Sequence, residues 1–302
     1  MLFRSDAVTK ILGEAGTKVK LLIEREGIEK PMEFEITRGR VELETVLGIK
    51  RKTTDEWDYV IDPEHRICYI RLTQFARNSF TDMRKIVKEL DKEGIKGMIL
   101  DLRFNPGGLL PAAVDISDLF IDDGVIVTIR TRTGKEDTYT GEHEGSFLNF
   151  PMVCLVNGGS ASGSEIVAAC LQDHHRAIVM GERSYGKGSV QNIVPFKPTG
   201  GEIKLTTASF WRPSGKNLNK SSTKGTDEED WGVIPDKGYV LKLDRAERDQ
   251  LMEHQRDTEI IPRRDGPAKE AKSFKDRQLD MALDYLRGQI KTAAKTQPKK
   301  AG

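Results

Sequence analysis

The sequence predicts a mixed α/β fold, because an apolar strand, a glycine-rich turn and an amphipathic helix follow one another twice. The first unit has an apolar strand at residues 97–102, a turn that reads RFNPGG, and a helix over residues 109–120. The second has an apolar strand at 153–156, a turn that begins with NGG, and a helix containing residues 166–171. Units of this kind build a sheet that is covered by helices.

Other stretches of the chain show helical or strand periodicity. Residues 80–90 place Met83, Ile86, Val87 and Leu90 on one helical face, and Gly94 follows as a stop signal. We also predict a helix at 5–14, a hairpin at 57–75 that turns at DPEH, strand pairs within 124–140 and 189–211, a partly helical stretch at 244–277, and a helix at 274–289. The turn of the 189–211 pair is predicted at PTGG, residues 198–201.

Composition excludes several classes of protein. The 302 residues suggest about two domains, and 37% hydrophobic with 31% charged residues is typical of a globular chain with no membrane span. A net charge of +1 gives no reason to expect a nucleic-acid partner. Neither the three cysteines nor the five histidines have metal-ligand spacing, so we expect buried thiols, no metal and no cofactor. The first residues, MLFR, show no signal peptide.

The stretch 153–191 carries the residues with the clearest chemical potential. Ser162 stands at the predicted strand-to-helix turn, and Lys187 stands between two glycines. Ser162 and Glu165 fit a capping box, and that structural role is the more common one for this spacing. The catalytic interpretation is that Ser162 is a nucleophile that needs a base. A lysine can be that base where burial favours its neutral form. The apolar runs 177–180 and 193–196 predict such burial for Lys187.

Three motifs in this stretch resemble the carboxyl-terminal processing, or tail-specific, serine proteases. They read VNGGSASGSEI, DHHRA and GERSYGKGSVQ. The resemblance implies that Ser162 is the nucleophile and Lys187 the general base, and that Gln191 orients the lysine. It gives Asp173 at most a supporting role, since an acid beside the base would keep the lysine charged.

A fourth motif, DLRFNPGG at residues 101–108, resembles the loop that supplies half of the family's oxyanion hole. The resemblance assigns the two backbone N–H donors to Gly108, with Gly107 as the alternative, and to Gly163. A turn formed by Pro-Gly-Gly without chemistry is the simpler interpretation of the same residues.

The resemblance also implies a domain organisation. Residues 13–46 resemble the C-terminal half of a PDZ domain, so we expect an incomplete PDZ segment at 1–46 that binds peptide termini weakly. A crotonase-like ββα-spiral protease core would occupy 47–245, and a charged helical extension, whose DRQLDMALDYL resembles the family's terminal helix, 246–290. A disordered tail would occupy 291–302. The motifs WRPSG and GVIPD are expected to be structural elements at the rim of the site.

The function expected on this basis is a serine endopeptidase that acts through an acyl-enzyme on unfolded or C-terminally tagged proteins. The compartment cannot be read from the chain, and the resemblance points to a periplasmic or otherwise extracytoplasmic one. Assembly into a homo-oligomer stays open. Two alternatives remain: a catalytically silent peptide-binding scaffold on the same core, and an acyl-CoA-handling enzyme of crotonase type. The second would need a basic phosphate site, and no basic cluster lies beside the glycine loops.

Overall fold

The computed structural model divides the chain into two compact units, residues 1–44 and 45–302. The first unit is small. It contains α1 (Arg4–Ile11) and an antiparallel hairpin of β1 (Lys18–Ile23) and β2 (Met32–Thr37). The residues that the structure describes are 4–25, 28–39, 43–196, 201–260 and 274–296.

Arg38 links the helix of the first unit to its hairpin. Its guanidinium donates hydrogen bonds to the carbonyl oxygens of Lys10, Ile11 and Lys18. The cross-strand ion pair Lys18–Glu35 lies on the charged face of the hairpin. This arrangement is the observed form of the segment for which a partial PDZ domain is predicted.

The second unit contains two main sheets and five α-helices in its described part. In chain order the elements are β3 (Val46–Leu47), β4 (Lys50–Arg51), β5 (Trp57–Asp58), β6 (Val60–Asp62), β7 (Ile67–Leu72), α2 (Ser79–Lys92), β8 (Gly97–Asp101), α3 (Leu110–Asp118), β9 (Gly124–Thr131), β10 (Glu136–Gly141), β11 (Met152–Val156), α4 (Gly163–Asp173), β12 (Ala177–Gly181), β13 (Ser189–Phe196), β14 (Gly201–Trp211), α5 (Arg245–Thr258) and α6 (Arg277–Thr296). The largest sheet, the central sheet, has the order β12-β11-β8-β7-β3, with β6 also paired to β7, and its first four strands run parallel.

Helices cover both faces of the parallel sheet. Side chains that alternate along each strand point to opposite faces, so Cys68 and Ile70 join a core formed with α2, α3 and α4. Ile67 and Tyr69 join a second, smaller core, to which α6 contributes Leu286. The sheet is therefore buried on both sides, as its nearly continuous apolar strands require.

The topology brings two loops together. Because β8 and β11 are adjacent and parallel, with Leu155 opposite Asp101, their carboxyl ends lie at the same edge of the sheet. The loop after β8 contains residues 102–109 and the loop after β11 contains 157–162. Loops at this edge are where α/β folds generally place their binding sites.

Most predicted elements agree with the structure. The helices predicted at 80–90 and 109–120 are confirmed as α2 and α3. The cysteines are all free and buried, as predicted. The predicted turn at 198–201 lies almost wholly outside the described residues.

The boundaries at the two ends of the second unit differ from the prediction. The helix predicted to end at residue 289 continues as α6 to Thr296, into the stretch predicted to be disordered, and residues 297–302 lie outside the described part. This helix packs on the central sheet, where its Ala282 and Leu286 join the second core. The first unit ends at Glu44, slightly earlier than predicted, because Val46 and Leu47 pair with β7.

Candidate active site

Ser162 occupies the sharp turn between β11 and α4, where it is the N-cap of the helix. Its backbone angles are φ 55° and ψ −112°, a conformation that a residue with a Cβ adopts only at a cost. A serine at a strained strand-to-helix turn has the geometry of a nucleophile elbow, in which the hydroxyl lies at the end of a sheet. Sequence periodicity predicts the turn but not the positive φ.

The neighbouring serines are committed to other partners. Ser160 is fully buried, and its Oγ donates to the carbonyl of Leu102 at 2.8 Å. Ser164 is fully buried as well, and its Oγ donates to the carbonyl of Asn105 at 2.9 Å. The Ser160 hydroxyl connects the two loops at the sheet edge, and the Ser164 hydroxyl connects the first turn of α4 to the loop after β8. Ser162 is the only serine of this group with a partly exposed side chain.

Asn105 holds the glycine loop against the elbow. Its Nδ2 donates to the carbonyl of Leu72 at 2.7 Å, and its backbone carbonyl accepts from Ala161 N–H at 3.0 Å. Its Oδ1 accepts from Gly107 N–H at 2.9 Å. A Cβ added at Gly107 would lie 2.7 Å from both the Ala161 carbonyl oxygen and the Ser162 Cβ. Only glycine therefore allows this close approach.

The predicted oxyanion donors, Gly108 and Gly163, differ from Gly107 in whether the backbone N–H is already hydrogen-bonded. Gly108 forms a parallel bridge with Phe75 through the Gly107 carbonyl and the Leu109 N–H, so its own N–H points away from Phe75. Within the described part of the chain, neither Gly108 N–H nor Gly163 N–H has a hydrogen-bond acceptor. Gly107 N–H is already used by Asn105. The geometry thus favours Gly108 over Gly107 as a donor to a substrate oxygen.

A buried ion network fixes the start of the same loop. Arg103 is 2% exposed and forms hydrogen bonds with Asp101, Asp276 and Gln278. Tyr69 donates its phenol hydrogen to Asp101 at 2.7 Å. The network connects the loop that carries Gly107 to the beginning of α6.

Glu165 joins the elbow to the segment that carries Lys187. Its Oε2 accepts hydrogen bonds from the backbone N–H groups of Ser162 and Lys187, each at 2.8 Å. Its Oε1 accepts from Gly186 N–H at 2.6 Å and from Ser184 Oγ at 2.5 Å. The side chain is fully buried, and burial raises the pKa of Glu165 although its four donors oppose the rise.

Sequence reasoning assigned Glu165 only to the capping box. The bond from Ser162 N–H is the part of that motif formed by the glutamate. The contacts with residues 184–187 were missed, because nothing in the local pattern indicates that this segment folds onto the helix. The available signal was an acid directly before the apolar helical run IVAACL, which predicts a buried carboxylate that needs donors.

Lys187 lies in the loop between β12 and β13, with its backbone held but its side chain exposed. The predicted burial is therefore wrong: the run 177–180 is strand β12 of the central sheet, and Val194 on β13 is 43% exposed. The side chains of Ile193 and Phe196 lie outside the described residues. Lys187 Nζ has no partner among the residues that the structure describes.

Gln191 and Asp173 are not brought to Ser162 in the same way as Glu165. Gln191 is exposed on β13, at a shift in the register with β14, and within the described residues its side chain makes no hydrogen bond. Asp173 ends α4, roughly 16–17 Å from Ser162 by helical rise. There it accepts from Arg212 at 2.6 Å and 2.9 Å and from Ser214 N–H at 2.9 Å.

The structure also bears on metals and membranes. No group of three or more His, Cys, Asp or Glu side chains is arranged to hold a metal ion within residues 4–25, 28–39, 43–196, 201–260 and 274–296. No helix in these ranges has both the length and the apolar composition needed to cross a bilayer.

Comparison with known proteins identifies the family of this chain. The sequence profile described as Peptidase family S41 matches residues 66–237, which is more than half of the chain. The chain belongs to this family. The matched region includes the elbow, the glycine loop and the Lys187 segment, and the mixed α/β fold described above is the fold of this peptidase family.

Individual members of the family show which kind of peptidase this chain resembles. The carboxy-terminal-processing protease of Bartonella bacilliformis is 34% identical, over 96% of this chain and 65% of the relative. The carboxyl-terminal-processing protease of Synechocystis is 35% identical, over 76% of this chain and 49% of the relative. Among solved structures, the photosystem II D1 C-terminal processing protease matches with a TM-score of 0.54 and 30% identity, over 80% of this chain and 60% of that one. The chain thus spans one half to two thirds of these relatives.

Proposed function

We propose that this chain is a serine endopeptidase of the carboxyl-terminal processing type, which hydrolyses peptide bonds near the C-termini of protein substrates. The observation that carries the proposal is the strained elbow of Ser162, together with the N–H groups of Gly108 and Gly163, which have no acceptor in the described part of the chain. The names of the relatives supply the substrate class.

The first half of the proposed reaction is acylation. Lys187 acts as the general base: its amine nitrogen accepts the Ser162 hydroxyl proton while Oγ bonds to the carbonyl carbon, and the carbonyl π electrons move to oxygen. The N–H groups of Gly108 and Gly163 stabilise that oxyanion, a contribution of about 3–4 kcal/mol per donor. As the tetrahedral species collapses, the C–N bond breaks and Lys187 returns the proton to the departing amine.

The second half is hydrolysis of the ester on Ser162. A water molecule gives one proton to Lys187 and attacks the acyl carbon, and the Ser162 oxygen leaves and recovers the proton. Lys187 has a flexible four-carbon stem, so its exposed Nζ can approach Ser162 while Glu165 holds its backbone. We assign to Gln191 the orientation of the ammonium group during these steps. The scheme uses no metal or cofactor.

The finer features implied by the resemblance form part of the proposal. They are a crotonase-like arrangement of the core, a PDZ relationship for residues 1–46 with weak peptide binding, and an extracytoplasmic setting. Unfolded or C-terminally tagged proteins are the proposed substrates.

One observation favours a second candidate, the catalytically silent scaffold. Lys187 Nζ is exposed and has no partner in the described part of the chain, whereas an assembled Ser-Lys pair would join it to Ser162. The two candidates differ in one outcome. The peptidase cleaves an unfolded protein and the scaffold does not.

The test is cleavage of casein by the wild type and by Lys187→Arg and Lys187→Ala. Arginine keeps the charge but cannot act as a base, so both variants should be inactive while circular dichroism shows unchanged folding. Full activity of Lys187→Arg would reject Lys187 as the base. An inactive wild type would favour the scaffold.

A further inference from the structure

Glu165 lies where three separate segments of the chain meet. The first is the elbow, through Ser162 N–H. The second is the segment 184–187, through two backbone N–H groups and the Ser184 hydroxyl. The third is the GVIPD segment, which reaches Glu165 through Ser184, because the Ser184 Oγ accepts from Val233 N–H at 2.7 Å.

A capping box accounts for only one of these contacts. Capping requires the glutamate to reach back to the N-cap N–H, which is the bond to Ser162. It does not require bonds to Gly186 and Lys187, which are distant in sequence. Since one atom, Oε2, accepts from both Ser162 and Lys187, these two backbone nitrogens are at most two hydrogen-bond lengths apart.

The chemistry of the four partners selects a carboxylate. Both oxygens of Glu165 face donors only, and an ionised carboxylate is an acceptor at both oxygens. A glutamine would direct its NH₂ group toward N–H donors whichever way the amide were turned. There is little room for adjustment, because a Cβ added at Gly232 would lie 2.7 Å from Ser184 Oγ and 3.3 Å from Glu165 Oε1.

We infer that Glu165 is a positioning residue that fixes the backbone of the base, Lys187, relative to the nucleophile, Ser162. The inference rests on the proposed function for its kinetic consequence. Lys187 has an exposed, long side chain, so its encounter with Ser162 depends on where its Cα is held. Glu165 provides that constraint, and Ser184 extends it to Val233.

The kinetic test compares Glu165→Gln with the wild type on a small peptide substrate. We expect kcat to fall about 100-fold, the scale of a small misplacement of reacting groups, while KM stays within about threefold because the substrate-binding surfaces are intact. Wild-type kcat in a folded Glu165→Gln variant would overturn the inference, as would a rise in KM with unchanged kcat.

Ser184 supplies a matched pair of variants that does not remove the buried carboxylate. Threonine keeps the hydroxyl and valine has nearly the same shape without it. Ser184→Thr should keep kcat near the wild-type value, and Ser184→Val should lose about tenfold, the value of one hydrogen bond. Equal kcat in the two variants would show that the hydrogen bonds of the Ser184 hydroxyl do not contribute to positioning. This pair of variants remains informative if Glu165→Gln fails to fold.

Amide hydrogen exchange tests the positioning without any activity. In the wild type the N–H groups of Ser162, Gly186 and Lys187 should exchange slowly, since buried Glu165 accepts all three. In Glu165→Gln they should exchange at least about tenfold faster, while Leu100 in β8 keeps its protection. Unchanged exchange at the three sites would overturn the inference. Loss of protection in a chain that cleaves nothing would instead reject the proposed function and leave the positioning supported.

Discussion

The two ends of α4 each hold an acidic side chain, and the two are stabilised in opposite ways. At the N-terminal end, Glu165 is fully buried and accepts from a hydroxyl and three backbone N–H groups. Burial raises its pKa. At the C-terminal end, burial would also raise the pKa of Asp173, but hydrogen bonds from Arg212 and Ser214 outweigh it and lower that pKa.

The two carboxylates therefore have different partners: Glu165 holds residues of the proposed active site, and Asp173 holds a structural motif. Both acids fall within motifs that resemble the family pattern, so the motifs alone do not distinguish them. Glu165 contacts the backbones of both proposed catalytic residues. Asp173 forms an ion pair with Arg212 of the WRPSG motif, far from Ser162. We therefore expect changes at Glu165 to affect catalysis and changes at Asp173 to affect stability.

Replacing the proposed nucleophile should have the largest effect. Ser162→Ala should lower casein cleavage by at least about 10⁴-fold, because the acyl-enzyme cannot form, while the thermal unfolding temperature stays close to that of the wild type. Ser164→Ala is the control: it removes a buried hydrogen bond worth about 1 kcal/mol and should remain active. Wild-type cleavage by Ser162→Ala would show that the nucleophile is another residue.

Gly107→Ala should have the next largest effect. The new methyl group would meet the Ala161 carbonyl and the Ser162 Cβ, so the loop and the elbow must separate, and activity should fall at least about 100-fold. Gly134→Ala is a matched control, because Gly134 also has a positive φ, of 85°, but nothing within 4 Å of the added Cβ. It should cost about 1–2 kcal/mol of stability with unchanged kcat. Equal activity of the two variants would argue against close packing of the loop on the elbow.

The sequence predicted the turn at the N-terminal end of α4, but it did not predict which distant segments pack against that end. Apolar periodicity located α2 and α3, and the strand–turn–helix pattern placed Ser162 at a turn. The Glu165 contacts with residues 184–187 depend on how β12 and β13 leave their sheets, which local periodicity does not encode. Lys187 shows the same limit: the apolar run beside it in sequence belongs to β12, whose burial in the central sheet does not extend to the lysine.

The pH dependence of stability should differ in sign for the two carboxylates. The folded pKa of Glu165 is raised, so its contribution to the unfolding free energy is greatest below the ordinary glutamate value of about 4.3 and falls as pH rises through the folded pKa. The folded pKa of Asp173 is lowered, so its contribution is complete above about 3.9 and is lost as pH falls through the folded pKa.

Urea unfolding of the wild type, Glu165→Gln and Asp173→Asn from acid to neutral pH measures this difference. The advantage of the wild type over Glu165→Gln should shrink with rising pH, and its advantage over Asp173→Asn should grow. If the stability advantage of the wild type changed with pH in the same direction for both variants, the two ends of α4 would not differ electrostatically.

At neutral pH, Asp173→Asn should act on stability alone. The variant keeps the shape of the side chain but loses a largely buried ion pair, so we expect a loss of about 1–3 kcal/mol in unfolding free energy. At a temperature where the variant is folded, kcat/KM should stay within about tenfold of the wild type. A loss of activity comparable to that of Ser162→Ala, in a folded protein, would place Asp173 in the catalytic machinery.

The smallest expected effect is that of a thiol reagent. Cys170 lies near the C-terminal end of α4, fully buried, and burial raises the pKa of its thiol to about 12. The nucleophilic thiolate is therefore scarce and inaccessible, so iodoacetamide near pH 8 should leave the native protein unlabelled and active. Unfolding in urea should expose all three cysteines to the reagent, which mass spectrometry would show and which serves as the positive control. Labelling of native Cys170 with loss of cleavage would mean that the C-terminal end of α4 opens in solution and influences the site, which would break the separation between the two ends of the helix.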